Sequence, residues 1–260
     1  MKIGKIEKYI QDNLDKEGAL LFVLIDPVDY KDSDDAVATA YNAVEGGADI
    51  VLIGGSTGAQ GELLEETTKR ISEKINVPVV LFPGNIATVT KYADAVYFMS
   101  LLNARNPYWI TQAQMLSAPL VKSLNIEPLP VGYIVVQPGG TVGWVGDANM
   151  IPREKPKIAA SLALAGEFLG NRIIVTDAGS NPQLQGYSGV PLDMIREVRR
   201  VISVPYIVAG GIKTVDDARN VIKNGGDIIQ VGTAIEKSGN PKERTLALSK
   251  AIKEEGKRRR

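Results

Sequence analysis

Two glycine-rich strand ends in the last quarter of the chain have the residue types and spacing of a phosphate-binding site. Gly210 and Gly211 follow one apolar run and Gly232 and Thr233 follow the next, with about twenty residues of largely helix-like sequence between them. Glycine lets backbone N–H groups approach an anion closely, and a helix N-terminus favours negative charge. The pattern therefore predicts a phosphorylated substrate. The alternative is that these glycines only make tight turns.

A third candidate anion-binding loop follows the apolar run Ile173–Thr176. Asp177 ends that run, and Gly179, Ser180 and Asn181 offer backbone and side-chain donors. We expect this loop and the two glycine turns to enclose one phosphate, with Asp177 placed to accept a proton from a substrate hydroxyl. The alternative is that Asp177 only caps the loop.

A lone carboxylate, Asp26, ends the first apolar run and is followed by proline. Magnesium takes one or two protein oxygens and fills its coordination sphere with water and substrate phosphate, so Asp26 is a candidate Mg²⁺ ligand. Ser56 or Thr57, after the second run, could complete the ion site or bind phosphate directly. The alternative is that Asp26 caps the next segment.

The loop after the fourth run carries Arg105, Tyr108 and Trp109. Arg105 is a candidate contact for a diphosphate, and the two aromatic side chains offer apolar area beside it. A role of these aromatics in the core or between subunits is an equally open alternative.

Composition narrows the chemistry further. The chain has no cysteine and no histidine, which excludes disulfides, thiolate catalysis and zinc–thiolate sites and leaves acid–base work to Asp, Glu, Lys or Tyr. Thirty acidic residues balance thirty basic ones, so charge gives no indication of a nucleic-acid partner. No secretory pattern or membrane-length apolar run is present, which predicts a cytoplasmic protein that a lipid substrate could bring to a membrane surface.

The elements that must position these residues form one regular series. Eight apolar runs alternate with helix-like segments, and each run is continuous rather than alternating, as in parallel strands buried on both faces. The predicted strands are Leu20–Ile25, Ile50–Ile53, Val79–Leu81, Ala95–Met99, Gly132–Val136, Ile173–Thr176, Tyr206–Val208 and Ile228–Val231; the predicted helices are Lys5–Asp15, Ser33–Glu45, Leu63–Ile75, Lys155–Leu169, Leu192–Val201 and Val215–Lys223. We therefore predict one α/β domain over residues 1–260, a (β/α)₈ TIM barrel.

Two connections depart from a regular barrel. Phe82–Asp94 is short and weakly helical, so we expect one outer helix to be reduced or missing after the third strand. Gln137–Pro156 is long, rich in glycine and proline, and carries a tryptophan, Trp144; a loop of this length at a barrel mouth usually has a function.

Taken together, the motifs at the strand ends resemble those of the geranylgeranylglyceryl phosphate synthases. The matching segments are Asp26-Pro27, Ile53–Gly58, Leu101–Trp109, Tyr133–Val136, Pro138–Asp147 and Gly210–Ile212. The resemblance covers essentially the whole chain, and its fourth- and fifth-strand motifs are long and specific.

The resemblance implies a modified TIM barrel that catalyses a Mg²⁺-dependent prenyl transfer. The substrates would be geranylgeranyl diphosphate and the C3 hydroxyl of sn-glycerol 1-phosphate, and the product would carry the first ether bond of archaeal membrane lipids. Asp26 and Ser56 would hold Mg²⁺. Glycerol phosphate would contact Val175, Thr176, Asp177, Ala178, Gly179, Ser180, Asn181, Gly210, Gly211, Gly232 and Thr233. The Trp144 loop and the unbroken motif Asn106–Trp109 resemble those of the branch that forms larger oligomers, typically hexamers. A homo-oligomer, either a hexamer or a dimer, is therefore expected.

The strand-six motif departs from the family pattern Tyr-Leu-Glu-Ala-Gly-Ser-Gly. Here Asp177 is one methylene shorter than the usual glutamate, and Val175 replaces the tyrosine. Gln137 stands where glutamate is common, and Thr233 replaces the usual asparagine. A carboxylate is kept at the base position.

Two other functions remain open from the residues alone. A sugar-phosphate isomerase could use Asp26 and Asp177 as its two acid–base groups. A degenerate homologue could keep the phosphate site without catalysis. Schiff-base chemistry is disfavoured because no predicted strand ends in lysine; Lys213 comes closest and is interpreted as a residue at a helix start.

Overall fold

The computed structural model describes residues 2–259, so residues 1 and 260 of the predicted domain lie outside it. Eight parallel strands pair in chain order, and the last pairs with the first to close a barrel. This confirms the predicted TIM barrel. The strands are β1 Leu20–Ile25, β2 Ile50–Gly54, β3 Val79–Phe82, β4 Ala95–Leu101, β5 Glu127–Val135, β6 Ile173–Asp177, β7 Tyr206–Ala209 and β8 Ile228–Val231.

Helices surround the barrel between most strands. They are α1 Lys5–Glu17, α2 Ser33–Glu45, α3 Gly61–Lys74, α4 Ala113–Ser123, α5 Gly140–Val145, α6 Pro156–Phe168, α7 Leu192–Val201, α8 Val215–Lys223, α9 Thr233–Glu236 and α10 Pro241–Arg259. Thr214 caps α8 through a reciprocal pair of bonds with Asp217. Over residues 2–259, no helix combines the length and the hydropathy needed to cross a membrane.

Each strand divides its apolar side chains between two layers. In β1, Leu20 and Phe22 belong to the cluster that fills the barrel, whereas Leu21 and Val23 belong to the cluster between barrel and helices. All four are fully buried. This two-sided burial is the reason that the strands are continuous apolar runs in the sequence.

The connection from β3 to β4 contains no helix, as predicted for Phe82–Asp94. The other long connection, Gln137–Pro156, is not irregular throughout, because it forms α5. Trp144 lies on α5 with 88% of its surface exposed.

The N-terminal end of the barrel is closed by carboxylates that are fully paired. Asp49, just before β2, accepts from the backbone N–H of Leu21 at 2.8 Å and from Lys253 Nζ at 2.7 Å. Asp227, just before β8, accepts from the N–H of Tyr206 at 2.9 Å and pairs with Arg199 and Arg259, each at 2.5 Å. These bonds tie neighbouring strands and helices together at the N-terminal ends of the strands.

Arg172 lies just before β6, and its charge is paired with that of Glu7 in α1. Its guanidinium binds both carboxylate oxygens of the buried Glu7 at 2.6 Å. Glu127, at the start of β5, accepts from the backbone N–H groups of Ile6 and Glu7 and so holds the first turn of α1.

Candidate active site

A polar cavity opens at the C-terminal ends of the strands, which is where barrel enzymes place their catalytic groups. We define the polar cavity by the residues that line it. From the predicted site these are Asp26, Ser56, Asp177, Gly179, Ser180, Asn181, Gly210, Gly211, Gly232 and Thr233. The structure therefore brings together the predicted ion ligands, the predicted base and all three predicted anion-binding loops.

Three residues of the predicted strand-six segment do not line this cavity. The Val175 side chain is fully buried among the apolar residues that fill the barrel. The neighbouring Thr176 hydroxyl forms a hydrogen bond with the Tyr206 hydroxyl at 2.7 Å and is also fully buried. Ala178 packs in the layer between barrel and helices.

Two residues predicted for the diphosphate or prenyl side also lie away from the polar cavity. Arg105 is exposed and donates to Asn149 Oδ1 at 3.1 Å, near the Asp147 carboxylate at 3.8 Å. Tyr108 packs edge-on against Trp109, with ring centroids 4.9 Å apart. Trp109, rather than Tyr108, faces a cavity.

Asp177 is held by two neutral donors on the wall of the polar cavity. The Tyr133 hydroxyl donates to Oδ2, and the Gly179 backbone N–H donates to Oδ1 at 2.6 Å. Burial raises the pKa of Asp177 above its ordinary value, while the bonds from Tyr133 and Gly179 oppose that rise. The carboxylate is thus oriented by its neighbours and made more basic than an exposed aspartate, as proton acceptance requires.

Gly210 allows the β7 turn to pass directly beside this carboxylate. Its φ is +81°, and a Cβ there would lie 2.5 Å from Asp177 Oδ1 and 2.7 Å from the Gly179 carbonyl oxygen. Any other residue would clash with the base and with the β6 loop, so the glycine is required by close approach as well as by backbone conformation.

On the other side of the cavity, Asp26 has an unsatisfied oxygen. Its Oδ1 is buried with no hydrogen-bond partner among the described residues. Gly55 lies so close that a Cβ would fall 2.4 Å from both carboxylate oxygens. Burial, with the charge of Asp29 as a smaller cause, raises the pKa of Asp26 to about 7. The hydrogen bond from the Val28 backbone N–H opposes that rise.

A second carboxylate beside Asp26 was not predicted from the sequence. Glu236, in α9, accepts from the Asp26 backbone N–H at 3.4 Å and lines the same cavity. Burial raises its pKa to about 7, and the charges of Asp29 and Asp26 contribute to the rise. Its only sequence signal is an acid three residues after the Gly232-Thr233 pair, because Asp26 is more than two hundred positions away.

The Asp26 side of the cavity fits a magnesium ion. Its donors are oxygens, Asp26 Oδ1 has no other partner, and Ser56 lies on the adjacent loop. Within residues 2–259 no three acidic side chains are arranged to hold a metal by themselves. Water and substrate oxygens would therefore complete the coordination, which is the way Mg²⁺ usually binds.

An apolar cavity adjoins the polar one. We define it by its lining, which includes Phe82, Ile86, Val89, Met99, Trp109, Val121 and the α4 residues Ala113 and Ser117. It lies against the helix-free connection after β3. Five residues line both cavities: Gly55, Ser56, Phe82, Tyr133 and Val142. A molecule with a charged head and a hydrocarbon tail can therefore occupy both at once.

Residues 14–252 match the PcrB family. The chain is 50% identical to the geranylgeranylglyceryl phosphate synthase of Thermococcus kodakarensis over 97% of this chain and 99% of that protein. It is 52% identical to the geranylgeranylglyceryl phosphate synthase of Pyrococcus horikoshii over 92% and 91% of the two chains.

A solved structure is similar over the same extent. The (S)-3-O-geranylgeranylglyceryl phosphate synthase of Thermoplasma acidophilum, in complex with its substrate sn-glycerol-1-phosphate, superposes with a TM-score of 0.88 at 34% identity. The match covers 94% of this chain and 98% of that one.

Proposed function

The chain belongs to the PcrB family, and on that premise we propose that it transfers a geranylgeranyl group to sn-glycerol 1-phosphate in ether-lipid synthesis. A bond forms between the C3 oxygen of glycerol phosphate and C1 of geranylgeranyl diphosphate. The bond from C1 to the diphosphate oxygen breaks, diphosphate leaves, and the hydroxyl proton passes to the protein.

The observation that carries this proposal is the junction of the polar and apolar cavities. Glycerol phosphate is small and charged, whereas the prenyl donor has a charged head and a long hydrocarbon tail. A polar cavity alone would suit many phosphorylated metabolites, including the substrates of a sugar-phosphate isomerase. The polar and apolar cavities share a wall at Ser56, Phe82 and Tyr133, and in this proposal the two substrates meet there.

In this proposal Asp177 takes the hydroxyl proton. Tyr133 and Gly179 fix the carboxylate, and the glycine turns at Gly210 and Gly232 hold the phosphate of the acceptor. Positioning brings the C3 oxygen to the allylic carbon, which lowers the entropic part of the barrier. The modest basicity of a carboxylate suffices because the hydroxyl becomes more acidic as the allylic carbon gains positive charge.

Asp26 and Ser56 would hold Mg²⁺, and Glu236, which accepts from the Asp26 backbone N–H, would add a second carboxylate beside that site. When bound, the ion supplies positive charge to the departing diphosphate. Support comes from the unpartnered Asp26 Oδ1 and from the absence of any salt bridge to Asp26 or Glu236 among the described residues.

One incubation tests the proposed function. Purified protein, Mg²⁺ and labelled geranylgeranyl diphosphate are combined with either sn-glycerol 1-phosphate or its enantiomer, and lipid product is extracted and counted. We expect a labelled ether with the first enantiomer and little with the second. The same incubation without Mg²⁺ tests the ion requirement. Absence of product with both enantiomers, from protein that is folded, would contradict the proposal and leave an isomerase or a non-catalytic phosphate-binding protein.

We also propose that the enzyme is a cytoplasmic homo-oligomer that contacts a membrane surface transiently to exchange its lipid substrate and product. Support for assembly comes from large apolar side chains that remain exposed, including Trp144, Phe168 at 79% and Leu169 at 81%. Light scattering should give a mass of two or six chains, and a monomeric mass at working concentration would contradict it.

A further inference from the structure

Among the described residues, one basic residue lines the polar cavity. Lys213 follows the β7 turn, two residues after Gly211, and is partly buried. From the sequence, Lys213 is interpreted only as a residue at the start of the next helix. The structure differs, because α8 starts at Val215 and Lys213 contributes to the wall of the cavity together with both turn glycines.

The charge of the cavity makes this lysine important. Every other charged side chain of the lining is acidic: Asp26, Asp29, Asp177 and Glu236. The acceptor proposed above carries a phosphate, which approaches the same wall with further negative charge. Backbone N–H groups of glycine turns give a phosphate partial positive charge only. Of the residues that line the cavity in the described part of the chain, Lys213 alone offers a full positive charge.

The ammonium group of Lys213 is available for a ligand. The backbone N–H of Lys213 donates to Asp217 Oδ2 at 3.1 Å, the same carboxylate that holds the N-terminus of α8. No acidic side chain within residues 2–259 forms an ion pair with the Lys213 ammonium. The backbone of the residue is thus fixed by its own helix, while its charge is left for the cavity.

We propose that Lys213 binds the phosphate group of the acceptor and sets the affinity of the enzyme for it. The inference rests on the function proposed above. Lys213 shares the β7 side of the cavity with Gly210 and Gly211, whereas Asp26 and Ser56, the side proposed for diphosphate, come from β1 and β2. We therefore assign it to the phosphate monoester of glycerol phosphate rather than to the diphosphate of the prenyl donor.

The test compares three variants by equilibrium titration with sn-glycerol 1-phosphate, without prenyl donor. Lys213→Met removes the charge and keeps the length, and Lys213→Arg keeps the charge. Lys223→Met removes an exposed lysine from the end of α8 in the same βα unit. We expect Lys213→Met to weaken binding about tenfold to a hundredfold, because hydrogen bonds to charged groups are worth that much. Lys213→Arg should recover much of the loss, and Lys223→Met should bind like the wild type.

Steady-state kinetics separate the two phosphate sources. Lys213→Met should raise KM for glycerol phosphate and leave KM for geranylgeranyl diphosphate within about twofold. Unchanged binding of glycerol phosphate in Lys213→Met, or a rise only in KM for the diphosphate substrate, would overturn the assignment. Absence of glycerol phosphate binding by the wild type would also overturn it. Binding by the wild type without prenyl transfer would instead contradict the proposed function and leave the Lys213 comparison valid.

Discussion

The two ends of the barrel treat their acidic side chains in opposite ways. At the N-terminal end, Glu7, Asp49 and Asp227 each face at least one cation within 2.7 Å. At the C-terminal end, neither Asp26, Asp177 nor Glu236 forms an ion pair with any residue from 2 to 259. Both groups are buried or partly buried, yet only the first has its charge compensated by the protein.

This contrast indicates what each group does. Paired carboxylates at the N-terminal end join strands to helices. Removing the cation of such a pair leaves a buried carboxylate without a partner. Unpaired carboxylates at the catalytic end cost stability until a substrate or an ion supplies the missing positive charge or proton. Substitution at the two ends should therefore separate folding from catalysis.

The largest effect is expected at Asp177. Asp177→Asn keeps an oxygen that can accept the Gly179 N–H but removes the proton acceptor, so turnover should fall about a thousandfold. Glycerol phosphate binding and melting temperature should stay near wild type. Single-turnover kinetics and calorimetry check this. Turnover near the wild-type rate would exclude Asp177 as the base.

At the opposite end, Arg172→Met should affect folding rather than chemistry. It leaves Glu7, whose side chain is 3% exposed, without its guanidinium partner, and we expect the free energy of unfolding to fall by about 3 kcal/mol. Urea unfolding measures the loss, and kcat of the folded protein should be unchanged.

Lys8→Met is the matched control, since Lys8 pairs with Asp12 in the same helix but both side chains are more than half exposed. It should leave stability unchanged. Equal losses in the two variants would remove the distinction between buried and exposed pairs.

Asp26→Asn should lower activity about a hundredfold and abolish its dependence on Mg²⁺. Because the substitution removes a carboxylate without a cation, the melting temperature of the metal-free protein should stay the same or rise. Activity titrations with Mg²⁺ and thermal unfolding in chelator test the two halves. A Mg²⁺ response like that of the wild type would contradict the ion site.

Tyr133→Phe should sharpen the contrast, because it removes a neutral donor rather than a charge. The Tyr133 hydroxyl lowers the pKa of Asp177 by stabilising the ionised form. Without it, that pKa rises further, and more of the base is protonated at any given pH. We expect the acid limb of the kcat profile to move to higher pH, and activity at pH values on that limb to fall. An acid limb at the same pH as in the wild type would show that Tyr133 does not influence the pKa of the base.

Much of the fold could be predicted from the sequence because parallel strands buried on both faces leave continuous apolar runs. The start of β5 was missed, since Pro128 and Pro130 are atypical of a central strand. The α4 helix was missed because it contains Pro119 and a single charged residue. The bounds of α2 agree with the prediction, and Asp32 caps the helix by accepting from the N–H of Asp35.

Some residues of the candidate site could likewise be predicted from the sequence, and others could not. Asp26, Ser56, Asp177 and the glycine turns could be predicted because each directly follows a strand, and all strands of a parallel barrel end at one face. Glu236, Lys213 and Tyr133 were not predicted, because none of them directly follows a strand. Glu236 lies within α9, Lys213 two residues past the Gly210-Gly211 turn, and Tyr133 within β5. Arg105 follows a strand as well, but its long connection carries it to the surface, where Asn149 binds it.

The pairing of α10 with the barrel has a consequence for biosynthesis. Lys253 and Arg259, the partners of Asp49 and Asp227, are translated only after all eight strands. Before these two residues are translated, Asp49 lacks its lysine partner and Asp227 lacks one of its two arginine partners. We expect closure of the sheet into a cylinder to wait for release of the last helix, and protease sensitivity of stalled chains of increasing length would reveal the point at which it occurs.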